Sequence, residues 1–350
     1  MGQTPLRVAT YDVDFFRKGP GILLRDILRE SSDDANAALG VIAHVNPDIL
    51  LLTGIDYDLS NVTVRAFADA LAGGGADYPH VFAALPNSGM ASGLDLNGDG
   101  RLGSARDAQG YGRYAGANGM AVLSRYPIQD AGFRDFSDLL WKDFPQADLP
   151  QIDGAPFPSQ TAQDSQRLST TGHWDLPITT PDGLLHLFAY SATPPVFDGP
   201  EDMNGKRSAD ETRFWGAYLD GALARPAPSG PFVILGNSNL DPVDGDGIKG
   251  VMQTLLDHPR VFDPHPSSLG GKAASDPSHL GDPALDTADW PGDGSSPGNL
   301  RVDYVLPSSD ITVVGSGVFW PQEGTPEAAL LAEGEGITRH RLVWVDITLP

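Results

Sequence analysis

Five apolar segments spread over the whole chain carry polar residues at one end, and this pattern limits the fold more than any other feature. The segments are residues 7–14, 47–56, 231–242, 300–307 and 340–347. Each is short and apolar enough to predict a buried β-strand. Protein cores rarely accept an unpaired Asp or His, so Asp303 and His340 indicate a site for chemistry at the mouths of two strands.

The remaining pattern predicts helices between these strands. Apolar spacing and capping residues favour helices at 21–29, 34–44, 62–71 and 208–223. A further strand is predicted at 119–128. Strands that alternate with helices indicate an α/β fold.

The order of these motifs resembles the endonuclease/exonuclease/phosphatase superfamily, from about residue 6 to the end of the chain. The resemblance implies a four-layer α/β sandwich, with two mixed β-sheets packed face to face and helices outside. It also implies cleavage of phosphoesters with a divalent metal, Mg²⁺ or Mn²⁺. We therefore expect one domain over residues 1–350, with surface-loop insertions at 130–165 and 263–299.

The metal-binding positions that the resemblance implies are altered. Asp12 stands where the family's first strand usually ends in Asn, and Gly54 stands where the second strand usually delivers a Glu. Loss of that carboxylate should weaken binding of a hard cation. Asp12, Asp14, Asp56 and Asp303 follow or end strands, so they are candidates to rebuild an oxygen-rich metal site. The alternative is that these acids cap turns or are hydrated.

The catalytic positions are altered as well. Asn237 replaces the Asp of the family's Gly-Asp-x-Asn motif, while Asn239 is retained. An amide cannot accept a proton near neutral pH, so a general base is lost. Arg339 replaces the acid before His340, and a neighbouring cation should favour neutral imidazole. Asn237, Asn239, Asp303, Arg339 and His340 remain the candidate catalytic residues, with Arg339 available to grip a phosphate.

Two other segments provide candidate substrate contacts. Ser191 corresponds to a mid-chain His of the family, so it is a candidate substrate-binding residue. Asn204 and Arg207 follow a proline-rich segment and could reach an anionic group. The alternative for that segment is a solvated loop that connects a strand to a helix.

A second cation site is predicted in the segment 95–107. Its candidate ligands are Asp95, Asn97, Asp99, Arg101 and Asp107. Oxygen-bearing side chains at alternate positions, followed by Gly100, match the first half of a calcium loop. Position twelve is Arg106 rather than Glu, so the bidentate ligand is missing or displaced. An Asx-rich turn without any ion is the alternative.

Charge argues against a nucleic-acid partner. The chain has 46 acidic and 23 basic side chains, a formal net charge of −23. Such a field repels polyanions, so a small phosphoester or another ligand is the expected partner. No apolar run approaches the ~20 residues of a membrane span, and there is no cysteine. The compartment stays open: extracellular or periplasmic if a signal peptide was trimmed, otherwise cytoplasmic.

Three functions remain compatible with the sequence. The first is a metal-dependent phosphoester hydrolase with an altered active site. The second is a catalytically degenerate relative that binds a ligand or a partner protein. The third is an acidic structural protein stiffened by calcium. Gly54, Asn237 and Arg339 favour the second, whereas Asp303, Asn239 and His340 favour the first.

Overall fold

The computed structural model describes residues 4–291, 296–331 and 337–350. The strands are β1 (Leu6–Asp12), β2 (Ile49–Ile55), β3 (His80–Phe82), β4 (Gly119–Ser124), β5 (Arg134–Asp135), β6 (Gln151–Ile152), β7 (Ala155–Pro156), β8 (His173–Thr180), β9 (Gly183–Ser191), β10 (Phe232–Asn237), β11 (Ala288–Asp289), β12 (Asn299–Leu300), β13 (Asp303–Pro307), β14 (Thr312–Val318) and β15 (Val343–Thr348). The α-helices are α1 (Ile22–Leu28), α2 (Asp33–Val45), α3 (Val62–Gly73), α4 (Gln160–Ser165), α5 (Met203–Leu219), α6 (Val251–Leu256) and α7 (Leu269–Ala273). Short 3₁₀ helices lie at Ala105–Asp107, Asp130–Gly132, Trp141–Asp143, Pro283–Leu285 and Pro326–Leu330.

Two mixed sheets form the centre of the fold. One sheet has six strands in the order β14-β15-β1-β2-β4-β3, and the other has five in the order β13-β10-β9-β8-β5. In the first sheet β1 runs parallel to β2 and antiparallel to β15. In the second, β10 runs parallel to β9 and antiparallel to β13. Asp12 is the last residue of β1, and Asn237 is the last residue of β10.

Three apolar layers hold the sheets and helices together. The layer between the sheets includes Leu51 from one sheet and Leu235 from the other. Helices α1 to α3 cover the six-stranded sheet, and Phe67 of α3 is fully buried in the layer between them. Helices α5 and α6 cover the five-stranded sheet through residues such as Trp215. The layers confirm the predicted four-layer α/β sandwich.

Helix α2 illustrates how the sequence fixes an element. Its first turn carries Asp33 and Asp34, where carboxylates oppose the positive end of the helix dipole. Buried residues then recur three or four apart, which keeps one face on the sheet. Asn46 follows the last helical residue and caps the helix. Its φ of 54° is left-handed, a conformation that Asn tolerates better than most residues.

The segment 130–165 is more than a surface loop. Trp141 and Phe144 within it are buried in the layer beneath α5. The indole Nε1 of Trp141 donates a hydrogen bond to the buried carboxylate of Asp210, at 2.7 Å. The sequence missed this packing because isolated aromatic residues between prolines have no period that a pattern can detect.

A search of the described residues for helices long and apolar enough to cross a bilayer found none.

Candidate functional site

Three strand ends from the two sheets meet at the site. Asn237 ends β10 and pairs in register with Asp303, the first residue of β13. Asp12 ends β1 in the other sheet and accepts a hydrogen bond from Asn237 Nδ2 to its Oδ2, at 2.7 Å. All three side chains are buried. The site therefore lies where the two sheets approach each other, as the family resemblance implied.

His340 reaches this point through a short pairing outside the main sheets. Asp289 N–H donates to the carbonyl of Arg339 at 3.0 Å, and Arg341 N–H donates to the carbonyl of Thr287 at 2.7 Å. The imidazole Nδ1 of His340 then lies 2.8 Å from Asp303 Oδ2.

Asp12, Asp303 and His340 form a group that could hold a metal ion. Each offers one ligand atom, and these atoms all lie within 4.8 Å of one another. In the part of the chain that the structure describes, Asp303 Oδ1 is buried without a hydrogen-bond partner. An unpaired buried carboxylate oxygen is costly, and a cation would satisfy it. Two carboxylates and an imidazole also suit a divalent ion, so the residues present fit the expected metal.

The carboxylates around His340 favour its charged form. Burial by itself would lower its pKa, but the charges of Asp303 and Asp12 and the hydrogen bond to Asp303 outweigh burial and raise the pKa to about 9. The expectation of a neutral imidazole, based on the neighbouring Arg339, was therefore wrong. Arg339 is exposed and lines a cleft of about 360 Å³ beside Trp320.

Asp14 lies at the exposed mouth of the site. Its backbone N–H donates to Asp12 Oδ1 at 3.1 Å, and its φ is 44°. Partial desolvation by the surrounding protein and the charge of Asp12 raise the pKa of Asp14 to about 6. Asp14 is therefore a carboxylate with a near-neutral pKa beside the buried group.

Gly54 leaves no room for the glutamate that the resemblance implies. Its φ is +76°, and a Cβ built there would lie 2.6 Å from the backbone nitrogen of Asp14 and 2.8 Å from Asp12 Oδ1. The backbone at Asp14 occupies that space. A glutamate at position 54 would therefore require the backbone after β1 to move.

The structure places Asp56 outside the metal group. Its Oδ2 accepts a hydrogen bond from the hydroxyl of Tyr114 at 2.7 Å, and the residue is buried. Asp56 follows β2, whose pairing with β4 shifts register between Thr53 and Ile55. A bulge of this kind redirects the side chains near it, so position along the strand overestimated the closeness of Asp56 to Asp12.

The two asparagines hold the local backbone. Asn239 N–H donates to Asn237 Oδ1 at 2.8 Å, and Asn239 Nδ2 donates to the carbonyl of Ala192 at 2.8 Å. Ser191 ends β9 and pairs in register with Asn237, which places its backbone one strand from the site. Asn239 also lines a cavity of about 580 Å³ that includes Trp290.

Asn204 and Arg207 line a different cavity, of about 660 Å³. Arg207 is buried and donates to the carbonyls of Gln109, Arg167, Leu168 and Ser169. Asn204 Nδ2 donates to the carbonyl of Val196 at 2.7 Å. Both side chains donate to backbone carbonyls, and their contact with a substrate stays a prediction.

The predicted calcium loop is built from turns. The side-chain oxygens of Asp95, Asn97 and Asp99 each accept hydrogen bonds from backbone N–H groups within residues 98–101. Asp107 is buried and accepts from Leu96 and Ser104. The carboxylates of this loop are not among the described groups of three close enough to share an ion. The ion remains a prediction, and Arg101 has an exposed side chain there.

Sequence reasoning missed three residues that shape the site. Thr287 Oγ1 donates to Asp303 Oδ2 at 3.1 Å and accepts from the Asp303 N–H. Thr338 Oγ1 donates to the carbonyl of Asp12 at 2.8 Å. Trp290 packs edge-on against His340, with ring centres 5.2 Å apart. Only Thr338 had a signal in the sequence, because it lies two residues before the candidate catalytic residue His340.

Comparisons with known proteins agree with this fold. An endonuclease/exonuclease/phosphatase protein from Beutenbergia cavernae DSM 12333 has a similar fold, with 17% identity, a TM-score of 0.55, and coverage of 99% of this chain and 72% of that one. A protein of the same family from Leptotrichia buccalis C-1013-b gives 14% identity, a TM-score of 0.53, and coverage of 98% and 100%. A search of curated proteins found no match. The model of the Endonuclease/Exonuclease/phosphatase family matches residues 9–336. The chain therefore belongs to the endonuclease/exonuclease/phosphatase family.

Proposed function

We propose that the protein is a divalent-metal-dependent hydrolase of a small phosphoester, with an active site altered from the family pattern. The observation that supports this most strongly is the buried convergence of Asp12, Asp303 and His340, whose ligand atoms lie within 4.8 Å. Family membership gives the reaction class only by analogy, because one fold hosts many functions.

Asp12 and Asp303 would hold the metal, Mg²⁺ or Mn²⁺, with Asp14 at the mouth of the site. Asp303 Oδ1 is the available ligand atom, since it has no hydrogen-bond partner among the described residues. When bound, the ion would polarise the phosphoryl oxygen and lower the pKa of a bound water. Carboxylate oxygens are suitable ligands for either ion.

Two side chains would handle protons. His340, oriented by Asp303 through Nδ1, would direct its Nε2–H at the phosphoryl or leaving oxygen and stabilise charge there. Asp14, with a pKa of about 6, would take a proton from the attacking water in place of the acid lost at Asn237. Asn239 would keep the neighbouring backbone in place through Ala192.

Hydrolysis of bis-p-nitrophenyl phosphate and p-nitrophenyl phosphate with Mg²⁺ or Mn²⁺ tests the proposal. We expect turnover that falls ~10²–10⁴-fold in His340→Ala. His186→Ala is a matched control, because His186 is also buried and paired with an acid, Asp175. Absence of turnover with either metal and either ester would contradict a hydrolase of such esters.

A second candidate is a degenerate relative that binds a ligand or a partner protein. The hydrogen bond from Asn237 to Asp12 favours it, because that bond engages a carboxylate oxygen that would otherwise face a metal. The lack of space at Gly54 favours it as well. Binding of Mg²⁺ or Mn²⁺ without turnover would favour this candidate. If neither binding of these ions nor turnover occurred, the acidic structural protein stiffened by calcium would be left.

Calcium at residues 95–107 is a separate part of the proposal. The Asp95, Asn97 and Asp99 oxygens and the carbonyl of Arg101 are the expected ligands, with Asp107 as the acid after position twelve. The ion would stiffen the loop without taking part in the reaction.

We further propose a small phosphoester as the partner rather than nucleic acid, because the net charge is −23. A single domain over residues 1–350 agrees with the span of the family match. Either an extracellular or periplasmic location, or a cytoplasmic one, is compatible with this function.

A further inference from the structure

The cavity of about 660 Å³ has the features of a built binding site. Three aromatic residues line it, Tyr111, Phe157 and Phe197, and the lining continues onto the predicted calcium loop. The ring of Phe157 packs against that loop at Gly98, where an added Cβ would lie 2.9 Å from two ring carbons. The aromatic faces offer a surface for a flat ligand.

Gln166 supplies an unsatisfied polar group in the wall of this cavity. The residue is 1% exposed, and its Oε1 has no hydrogen-bond partner in the described parts of the chain. A buried amide oxygen without a donor is unfavourable, so a ligand that brings an N–H group would be stabilised there.

The backbone on either side of Gln166 is held in place. Gln109 Nε2 donates to the carbonyl of Ser165 at 2.9 Å, and Gln109 Oε1 accepts from the N–H of Arg167 at 2.8 Å. Arg207 then donates to the carbonyls of Gln109 and Arg167. Gln166 is thus fixed by both neighbours, although its own carboxamide oxygen is unused.

Phe197 is held in the same manner. Its side chain is 75% exposed, and its φ of 72° is uncommon for a bulky residue. Asn204 fixes both neighbours, because its Nδ2 donates to the carbonyl of Val196 at 2.7 Å and its N–H donates to Asp198 Oδ2 at 2.5 Å. The backbone of Phe197 is therefore held in a strained conformation, and its exposed ring lies at the edge of the cavity.

Formal charges around the cavity balance. Arg106 and Arg207 oppose Asp198 and Glu201. Arg207 already donates to carbonyls, and Glu201 Oε1 accepts from the N–H of Gly199 at 3.1 Å. The lining therefore gives no preference for a charged ligand.

We propose that this cavity binds an uncharged, flat heteroaromatic ring that carries an N–H donor. The ring packs against Tyr111, Phe157 and Phe197, and its N–H donates to Gln166 Oε1. The site is distinct from the group of Asp12, Asp303 and His340, and its binding activity does not depend on catalysis there. Pro194 and Phe197 are shared with the neighbouring cavity that contains Asn239, so an occupied ring site borders that cavity.

Indole and benzofuran are matched probes for this site, because the two rings have nearly the same shape and only indole has an N–H donor. Calorimetric titration of the full chain should give an affinity for indole about three- to tenfold higher than for benzofuran, the usual range for one hydrogen bond. This comparison requires no variant. Equal affinities, or no binding of indole, would overturn the proposal.

Variants then locate the probe. Gln166→Met should reduce indole affinity to the benzofuran value and leave benzofuran unchanged, whereas Gln160→Met, on the exposed start of α4, should change neither. If Gln166→Met fails to fold, Phe197→Ala carries the test, because the exposed ring is not needed for the core. It should weaken both probes, with Phe262→Ala as the exposed control. Unchanged binding in Phe197→Ala would place the probe elsewhere and contradict the assignment.

Discussion

Gly54 is the residue that most clearly distinguishes this site from the family pattern. With φ at +76° and the Asp14 backbone against its α-carbon, any side chain there meets both strain and a clash. We expect Gly54→Ala to lower the free energy of unfolding by about 1–3 kcal/mol. Urea denaturation measures this.

Gly73→Ala is the matched control for that variant. Gly73 ends α3 with open space around its α-carbon, so alanine should be neutral or stabilising by up to about 1 kcal/mol. Equal effects of the two substitutions would show that the conformation at Gly54 is not strained. Restoring the family's glutamate at this position therefore needs a change at Asp14 as well.

The His340 charge makes stability depend on pH. Its pKa is about 9 in the folded protein against 6.5 as its ordinary value, so the folded state binds the proton more tightly. The stabilising contribution is complete below pH 6.5 and is lost as the pH rises through 9. With a chelator present, the stability advantage of the wild type over His340→Gln should shrink between pH 6.5 and 9. An advantage that is constant or grows over this range would contradict the ion pair with Asp303.

At the level of single residues, the sequence predicted what is unusual in a core but missed what is ordinary. Asp303 and His340 were recognisable because charged side chains interrupt apolar segments. Thr287 was not recognisable, since a threonine in a turn-rich segment carries no such signal. The absence of space at Gly54 depends on a distant backbone, which no local pattern reveals.

Among the structural elements, the loop 95–107 gives a test of the predicted calcium site. Its acidic side chains already hold the turns, so an ion would add to a preformed shape and stabilise it by mass action. Adding Ca²⁺ to chelated protein should raise the melting temperature, and Asp99→Asn should reduce the rise. The exposed helical variant Asp69→Asn is the control and should retain it. The same melting temperature with and without Ca²⁺ would count against the site.

The regular elements were predicted well because their patterns are local. Helix α2 was expected at 34–44 and spans Asp33–Val45, and the strand expected at 119–128 is β4, Gly119–Ser124. Helix α5 begins at Met203, before the predicted 208, because most of its faces are buried and no polar face marks its start. The aromatic packing within 130–165 depends on tertiary contacts and was out of reach.

For the whole molecule, the central claim is that two sheets converge to create one divalent-metal site. The hydrogen bond between Asn237 and Asp12 joins the sheets at this point, and Asp303 with His340 completes the group. The sequence predicted this convergence through the family resemblance that its motifs carry. The position of Asp56 outside the group follows a register shift near the end of β2, which only the folded chain reveals.

Titration of the metal-free protein with Mn²⁺ tests this claim most directly, with calorimetry or electron paramagnetic resonance as the readout. We predict one Mn²⁺ bound at the group, lost in Asp303→Asn and retained in Asp210→Asn, which alters another fully buried acid. No Mn²⁺ bound by the wild type, or the same binding in Asp303→Asn, would contradict the account.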